Sequence, residues 1–245
     1  MGLRAKIKSI FYVYPKEVFS LVAREVLHGG YKGLNELDKK IIAHIVPQRS
    51  GYFVELGAND GIRQSNTYRL QKRFGWTGLL IESSPLKFSQ CVQNRAFGNA
   101  PDIMCAACVP FEFQDKFVEM EYSDLMSVAL GLDLSREDAS QQADRGLPFL
   151  GTPLHRHCFG ALARTLTSLL DEVGAPANFD LLSLDVEGNE LAVLKGLDLI
   201  RYRPRWILVE CRDDCVPIYL QAADYRQIEV LSDCGTYRDI LFGVA

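Results

Sequence analysis

The sequence predicts a doubly wound α/β fold around a mostly parallel sheet, and three observations carry that expectation. Short apolar runs recur at 52–56, 78–82, 179–184 and 206–210, and the first of them opens into a glycine-bearing turn. Stretches with apolar residues at helical spacing separate the runs, an order that builds crossover units rather than a chain of hairpins. The second run ends about 20 residues beyond the turn, the distance over which a strand-helix-strand unit returns its next strand to the same sheet edge.

Taken in order, residues 1–33 combine Arg4, Lys6 and Lys8 with Ile7, Ile10, Phe11, Val13, Phe19 and Leu21. They predict a helical extension that packs on the domain or on a second subunit. A peripheral membrane helix is the competing expectation for residues 1–30, and Pro15 would break it while Glu17 and Glu25 dilute its charge. The domain proper is expected over 34–245. Leu34, Leu37, Ile41, Ile42 and Ile45 recur at helical spacing and predict a helix that covers the sheet. In Tyr52-Phe-Val-Glu-Leu-Gly-Ala-Asn-Asp-Gly61, an apolar strand runs into a turn bracketed by Gly57 and Gly61. A missing Cβ there permits positive φ and close approach of a ligand to the main chain. Helices are expected over 66–74 and 85–94, on either side of the strand Gly78-Leu-Leu-Ile-Glu82. Ile103 to Val109 reads as the third strand, with Cys105 and Cys108 as small buried residues. The stretch 112–160 is long, mixed in charge and poor in periodicity after Ala129, which predicts a lid or substrate-binding insertion with one polar helix over 133–145. Phe179 to Gly188 and Trp206 to Glu210 supply two further strands, with a helix over 189–196 between them. Residues 227–231 and 239–242 suit an antiparallel hairpin around Asp233-Cys-Gly-Thr.

The chemistry of the strand ends is acidic. Glu55 and Asp60 flank the first turn, where they would repel a pyrophosphate and attract the ammonium and ribose hydroxyls of S-adenosylmethionine. The spacing Gly-x-x-x-Gly lacks the third glycine of the dinucleotide fingerprint and the Gly-Lys-Ser/Thr of a phosphate loop. Glu82 ends the second strand at the sheet edge where such folds hold a ligand, and its carboxylate can accept both ribose hydroxyls. Asp185 and Glu187 are two apart at another strand end, so both point to one side and can converge on one cation or one substrate proton. Glu210 repeats the pattern.

These residues resemble the FkbM-type S-adenosylmethionine-dependent methyltransferases. The resemblance lies in Val54 to Gly61 (VELGANDG), Ser65-Asn66-Thr67, Gly75 to Glu82 (GWTGLLIE), Leu166 to Glu172 (LTSLLDE), Leu182 to Gly188 (LSLDVEG) with Glu190, Val193, Leu194, Lys195 and Gly196, and Ile207 to Glu210 (ILVE). It spans residue 40 to the C-terminus and names no substrate. It implies the class I methyltransferase fold, a Rossmann-like seven-stranded sheet with an antiparallel C-terminal hairpin. It further implies O-methylation of a hydroxyl on a sugar, polysaccharide or related natural product. Glu55, Gly57, Asn59, Asp60 and Gly61 would then form the donor turn, Glu82 would hold the ribose, and Ser83 and Ala107 would line the adenine pocket. Asp185 and Glu187 would face the acceptor.

Methyl transfer from a sulfonium needs an aligned acceptor and a group that takes the hydroxyl proton. Asp185, Glu187 and His157, from His155-Arg-His-Cys158, are the candidates for that task. Asp185, Glu187 and Glu210 could instead form an all-oxygen site for Mg²⁺. A zinc site at His155, His157 and Cys158 lacks a fourth ligand. The rival functions are a nucleotide-sugar or NAD-linked oxidoreductase and a non-catalytic binding protein on the same fold. The intact acidic set speaks against the second, since a scaffold needs none of those carboxylates.

At 245 residues the chain suits one domain with a sizeable core. A net charge of -4 argues against a nucleic-acid partner. Seven cysteines without paired Cys-x-x-Cys spacing predict free thiols in a reducing, cytoplasmic setting. The basic start lacks the apolar core of a secretory signal.

Overall fold

A computed structural model describes residues 30–45, 50–152 and 155–245, so the expected extension up to residue 29 lies outside the described residues. In chain order the strands are β1 (Tyr52–Leu56), β2 (Thr77–Glu82), β3 (Asp102–Cys105), β4 (Ala107–Cys108), β5 (Phe117–Tyr122) and β6 (Val128–Ala129). They continue with β7 (His157–Arg164), β8 (Leu181–Leu184), β9 (Trp206–Cys211), β10 (Tyr225–Asp233) and β11 (Arg238–Val244). The helices are α1 (Leu37–Ile45), α2 (Tyr68–Phe74), α3 (Pro85–Arg95), α4 (Arg136–Asp144), α5 (Leu166–Val173), α6 (Glu190–Leu194) and α7 (Cys215–Ala222). None of the described helices is long and apolar enough to cross a membrane.

Seven strands form the main sheet in the order β10-β11-β9-β8-β1-β2-β3. Neighbours are parallel from β9 through β3, whereas β11 runs antiparallel to both β9 and β10. This is the class I methyltransferase arrangement that the resemblance implies, on the mostly parallel sheet that the order of elements predicts.

The central strands are apolar on both faces because helices cover both. Alternation then sorts their residues into two cores. Val54, Leu56, Leu79, Ile81, Leu182 and Leu184 face Leu166, Leu169 and Leu170 of α5 and Val193 and Leu194 of α6. Phe53, Leu80, Leu181 and Leu208 face Leu37 and Ile41 of α1, Leu70 of α2 and Cys91 of α3. Gly78 is required where β2 crosses Phe53, since a Cβ would lie 1.9 Å from its carbonyl oxygen. The polar residues that share the second face, Glu55, Ser183 and Glu210, therefore sit at the carboxyl ends of their strands, beneath the loops.

Three expectations are corrected. The helix expected from Leu34 starts at Leu37, because Asn35 (φ 50°) and Glu36 (φ 59°) take left-handed backbone and leave a single 3-10 turn. The third strand does not run unbroken from Ile103 to Val109. Ala106 N–H still bonds the Glu82 carbonyl at 3.2 Å, but Val109 N–H bonds Arg164 at 3.0 Å, so the chain leaves β2 and pairs with β7. The stretch 112–160 is not irregular around one helix. It carries β5, β6 and the start of β7, which join β4 in a second, four-stranded sheet in the order β4-β7-β5-β6, with α4 packed beside β6. Its core is Val109, Val118, Met120, Ala129 and Ala161.

Candidate active site

The first turn is held by contacts between strand ends. Gly57 adopts φ +73°, and a Cβ there would lie 2.0 Å from the Asp185 carbonyl oxygen, so the ends of β1 and β8 meet at a position only glycine fits. Asn59 follows in left-handed backbone (φ 49°). Its N–H donates to Glu82 Oε2 at 2.8 Å, and Ser84 N–H donates to Glu82 Oε1 at 2.8 Å. Glu82 thus fastens the loops after β1 and β2 together while each carboxylate oxygen keeps a further lone pair. Burial raises its pKa, opposed by the hydrogen bonds from Ser84 and Asn59 and by nearby Lys87. Asn59 is buried, and its Oδ1 has no partner among the described residues.

These groups open on a cavity at the carboxyl edge of the sheet. Gly57, Asn59, Glu82, Ser83, Ala107, Asp185 and Glu187 all line it. Met120, Leu125, Ala129 and Leu132 of the segment between β4 and β7 complete the wall. Lys87 pairs with Asp124 of that segment, and Arg63 donates to the same carboxylate at 2.9 Å. Of the eight non-glycine residues with positive φ among the described residues, four border this cavity: Asn59, Gln64, Asp124 and Glu187. Backbone held in such conformations concentrates at functional sites.

Five expected site residues do not line the cavity: Glu55, Asp60, Gly61, His157 and Glu210. Glu55 points to the opposite sheet face, where it accepts from Ser65 Oγ (2.8 Å), Asn66 N–H (2.7 Å) and Thr67 Oγ1 (2.6 Å). The guanidinium of fully buried Arg95 lies 3.7 Å away. Glu55 organises the loop rather than meeting a ligand ammonium. Asp60 turns back to accept the N–H groups of Ile62 (2.9 Å) and Arg63 (2.7 Å). Gly61 (φ +80°) packs on Arg95 and Cys91, where a Cβ would come within 2.7 Å of the arginine stem. His157 stands exposed on β7, its Nδ1 2.7 Å from the His155 carbonyl and its ring stacked 5.0 Å from Tyr122. It does not border the cavity, so a general-base role for it is set aside.

Opposite the donor turn lies a cluster of acids around one cation. Arg212 Nη2 donates to Glu210 Oε1 at 2.6 Å and to Glu187 Oε2 at 2.8 Å, and its Nη1 donates to Gln142 Oε1 at 2.8 Å. Gln142, from α4, donates in turn to Glu187 Oε2 at 2.6 Å. Glu190 accepts the N–H groups of Val186 and Gly188, each at 3.0 Å, and so shapes the loop after β8. Asp185 keeps accessible surface where it borders the cavity, yet protein crowds its remaining sides, and desolvation raises its pKa against the pull of Arg212. Desolvation and neighbouring acids raise Glu187 and Glu210 likewise, and burial lifts Glu190 to about 7. Two of these four carboxylates bond one guanidinium, and the other two feel its charge.

The expected cation set is altered accordingly. Oxygens of Asp185, Glu190 and Glu210, rather than Asp185, Glu187 and Glu210, approach one another within 4.8 Å. The guanidinium of Arg212 is already bonded to Glu210 and Glu187 beside them, so the donor set does not fit a divalent ion without displacing that side chain. Arg212 was legible in principle, because it stands two residues after Glu210 at a strand end and shares its side. Lys87, Asp124 and Gln142 come from segments whose proximity no local pattern reveals.

Comparison with known proteins finds one family model and several solved structures similar to this chain. The family described as methyltransferase FkbM domain matches residues 55–235. The METTL16 methyltransferase domain is 12% identical over 85% of this chain and 66% of that one, with a TM-score of 0.46. A putative tRNA (m1A22) methyltransferase of Streptococcus pneumoniae, in complex with S-adenosyl-L-methionine, is 11% identical over 87% of this chain and 73% of that one, with a TM-score of 0.46. Magnesium protoporphyrin IX methyltransferase from Synechocystis, with bound SAM, is 12% identical over 85% and 78% of the two chains, with a TM-score of 0.43. No curated protein matches the chain.

Proposed function

Because the chain belongs to the FkbM methyltransferase domain family, a class that draws its methyl group from S-adenosylmethionine, we propose that it methylates a hydroxyl of a sugar, polysaccharide or related natural product. The observation that carries this reading is the placement of Asp185, which borders the same cavity as the donor turn and lies against Gly57 through its own backbone.

The residues suit the donor on three counts. The cavity lies outside the carboxyl ends of parallel strands, where sheets of this kind bind their ligands. The Gly57 position lacks the Cβ that would block the main chain. Buried Asn59 Oδ1 offers an acceptor with no partner among the described residues. When bound, S-adenosylmethionine supplies an electrophilic methyl group on a sulfonium. Glu82 would accept the ribose hydroxyls, and Ser83 and Ala107, which line the same cavity, would border the adenine. Asp185 takes the proton of the attacking hydroxyl, its raised pKa bringing it closer to that of a useful base at neutral pH. Glu187, Gln142 and Arg212 hold the loop that presents it. No step runs through a divalent ion, since Arg212 already bonds the acids beside its place.

The test is isothermal titration with S-adenosylmethionine, S-adenosylhomocysteine and NAD, followed by an acceptor screen among glycans. Binding of the two sulfur ligands, lost in Glu82→Ala, is expected. Preference for NAD would replace methyl transfer with the oxidoreductase reading, and methylation confined to amines would overturn the hydroxyl acceptor. Activity is expected to survive EDTA.

A further inference from the structure

We propose that Arg212 is a positioning residue that acts as the built-in cation of the acceptor side, standing where a divalent ion would sit if carboxylates alone lined it. The inference rests on the methyltransferase reading for its kinetic consequence and on geometry for its location.

Carboxylate oxygens of Asp185, Glu190 and Glu210 converge within 4.8 Å, a hard-donor set of the kind that attracts Mg²⁺ or Mn²⁺. Arg212 meets the same cluster with a planar fork. Its Nη2 bridges Glu187 and Glu210, and its Nη1 reaches Gln142 on α4. The side chain is only 20% exposed, so its charge acts with little screening by water. A guanidinium keeps its proton throughout the accessible pH range, and a fork constrains two partners at once where an ammonium would hold one. Glu187 sits at φ 61°, a conformation that costs an ordinary residue and persists only where its surroundings hold it. Arg212 and Gln142 both grip its Oε2.

Two consequences separate this role from simple scaffolding. A fixed positive charge favours the ionised form of Asp185, so removing it moves proton acceptance to higher pH. Removing it also leaves four carboxylates with no partner cation, which opens the set to a metal. Neither follows if Arg212 merely fills space.

The experiment titrates Mn²⁺ into the full-length wild type, Arg212→Met and the double variant Arg212→Met/Glu210→Gln, by calorimetry and by the electron paramagnetic resonance signal of the ion. It then compares the pH dependence of kcat. The wild type is expected to bind no Mn²⁺. Arg212→Met is expected to gain a Mn²⁺ site that the double variant loses, to lower kcat about 10- to 100-fold as loss of an orienting contact does, and to shift the acidic limb upward with KM for S-adenosylmethionine unchanged. If Arg212→Met does not fold, Arg212→Lys carries the test. It is expected to bind no Mn²⁺ and to keep the wild-type limb while kcat falls. Mn²⁺ binding by the wild type that Glu210→Gln abolishes would overturn the proposal, as would an unmoved limb in Arg212→Met or a Mn²⁺ site in Arg212→Lys. The ion titration needs no turnover. Failure of the wild type to bind S-adenosylmethionine would therefore strike the methyltransferase reading and leave this one standing.

Discussion

Asp185 and Arg95 show how differently two ionisable side chains are used within one loop system. Asp185 borders the cavity, no described residue pairs it as closely as Arg212 pairs Glu210, and on the proposed reading its carboxylate takes the substrate proton. Asp185→Asn keeps the shape and removes the basicity. Its kcat is expected to fall about 10²- to 10⁴-fold, the usual worth of a general base, while calorimetry still shows donor binding. Arg95, by contrast, is completely buried and does not border the cavity. It donates to Gln71 Oε1 (2.5 Å), the Gly61 carbonyl (3.0 Å), Ser65 Oγ (3.2 Å) and Thr67 Oγ1 (3.2 Å), and it faces Glu55. Arg95→Met leaves Glu55 as a buried charge without its partner and is expected to cost about 3–5 kcal/mol in urea unfolding. Glu55→Gln in the same chain is expected to restore part of that loss.

The turn after β1 and the four-stranded sheet above it mark what local pattern can and cannot disclose. Gly57, Glu82 and Asp185 were legible because each ends an apolar run, and parallel strands deliver their carboxyl ends to one edge. Glu55 was misassigned for the same reason that made it conspicuous. It lies on the first strand beside the turn, but alternation sends it to the face of Ser65, Asn66 and Thr67, and only the positions of those donors reveal its task. Strand β5 was legible, since Val118, Met120 and Tyr122 alternate with Glu119 and Glu121, whereas β7 was hidden because its residues are mostly exposed or half-exposed and it finds β5 only across about 40 residues. At this scale Gly57→Ala is the sharpest probe. The added methyl would meet the Asp185 carbonyl at 2.0 Å in left-handed backbone. Loss of detectable S-adenosylmethionine binding together with a lower melting temperature is expected, whereas Gly151→Ala, where no atom lies within 4 Å, is expected to change neither.

Across the whole molecule, buried acids give stability a particular dependence on pH. Burial lifts Glu190 from 4.5 to about 7 and Asp239 from 3.8 to about 7. Each therefore binds its proton more tightly in the folded state than in the unfolded chain. Where the native state holds more protons, stability falls as pH rises. The melting temperature is expected to be highest near the unfolded values and to decline through the window from about 4.5 to about 7, each group contributing on the order of 2 kcal/mol. Calorimetric scans of the wild type and of Glu190→Gln between pH 5 and 8 would check this, the variant giving the shallower decline.

The segment between β4 and β7 is fastened at two ends, by Asp124 to Arg63 and Lys87 beside the donor turn and by Gln142 to Glu187 beside the acid loop. Swinging this segment away from the cavity would require both fastenings to break. Turnover should then be paced by escape of the spent cofactor rather than by bond making, which rapid-mixing kinetics would reveal as a burst of methylated product ahead of a slower steady rate. Added salt, by weakening the grip on Asp124, should quicken that steady rate and leave the burst amplitude in place.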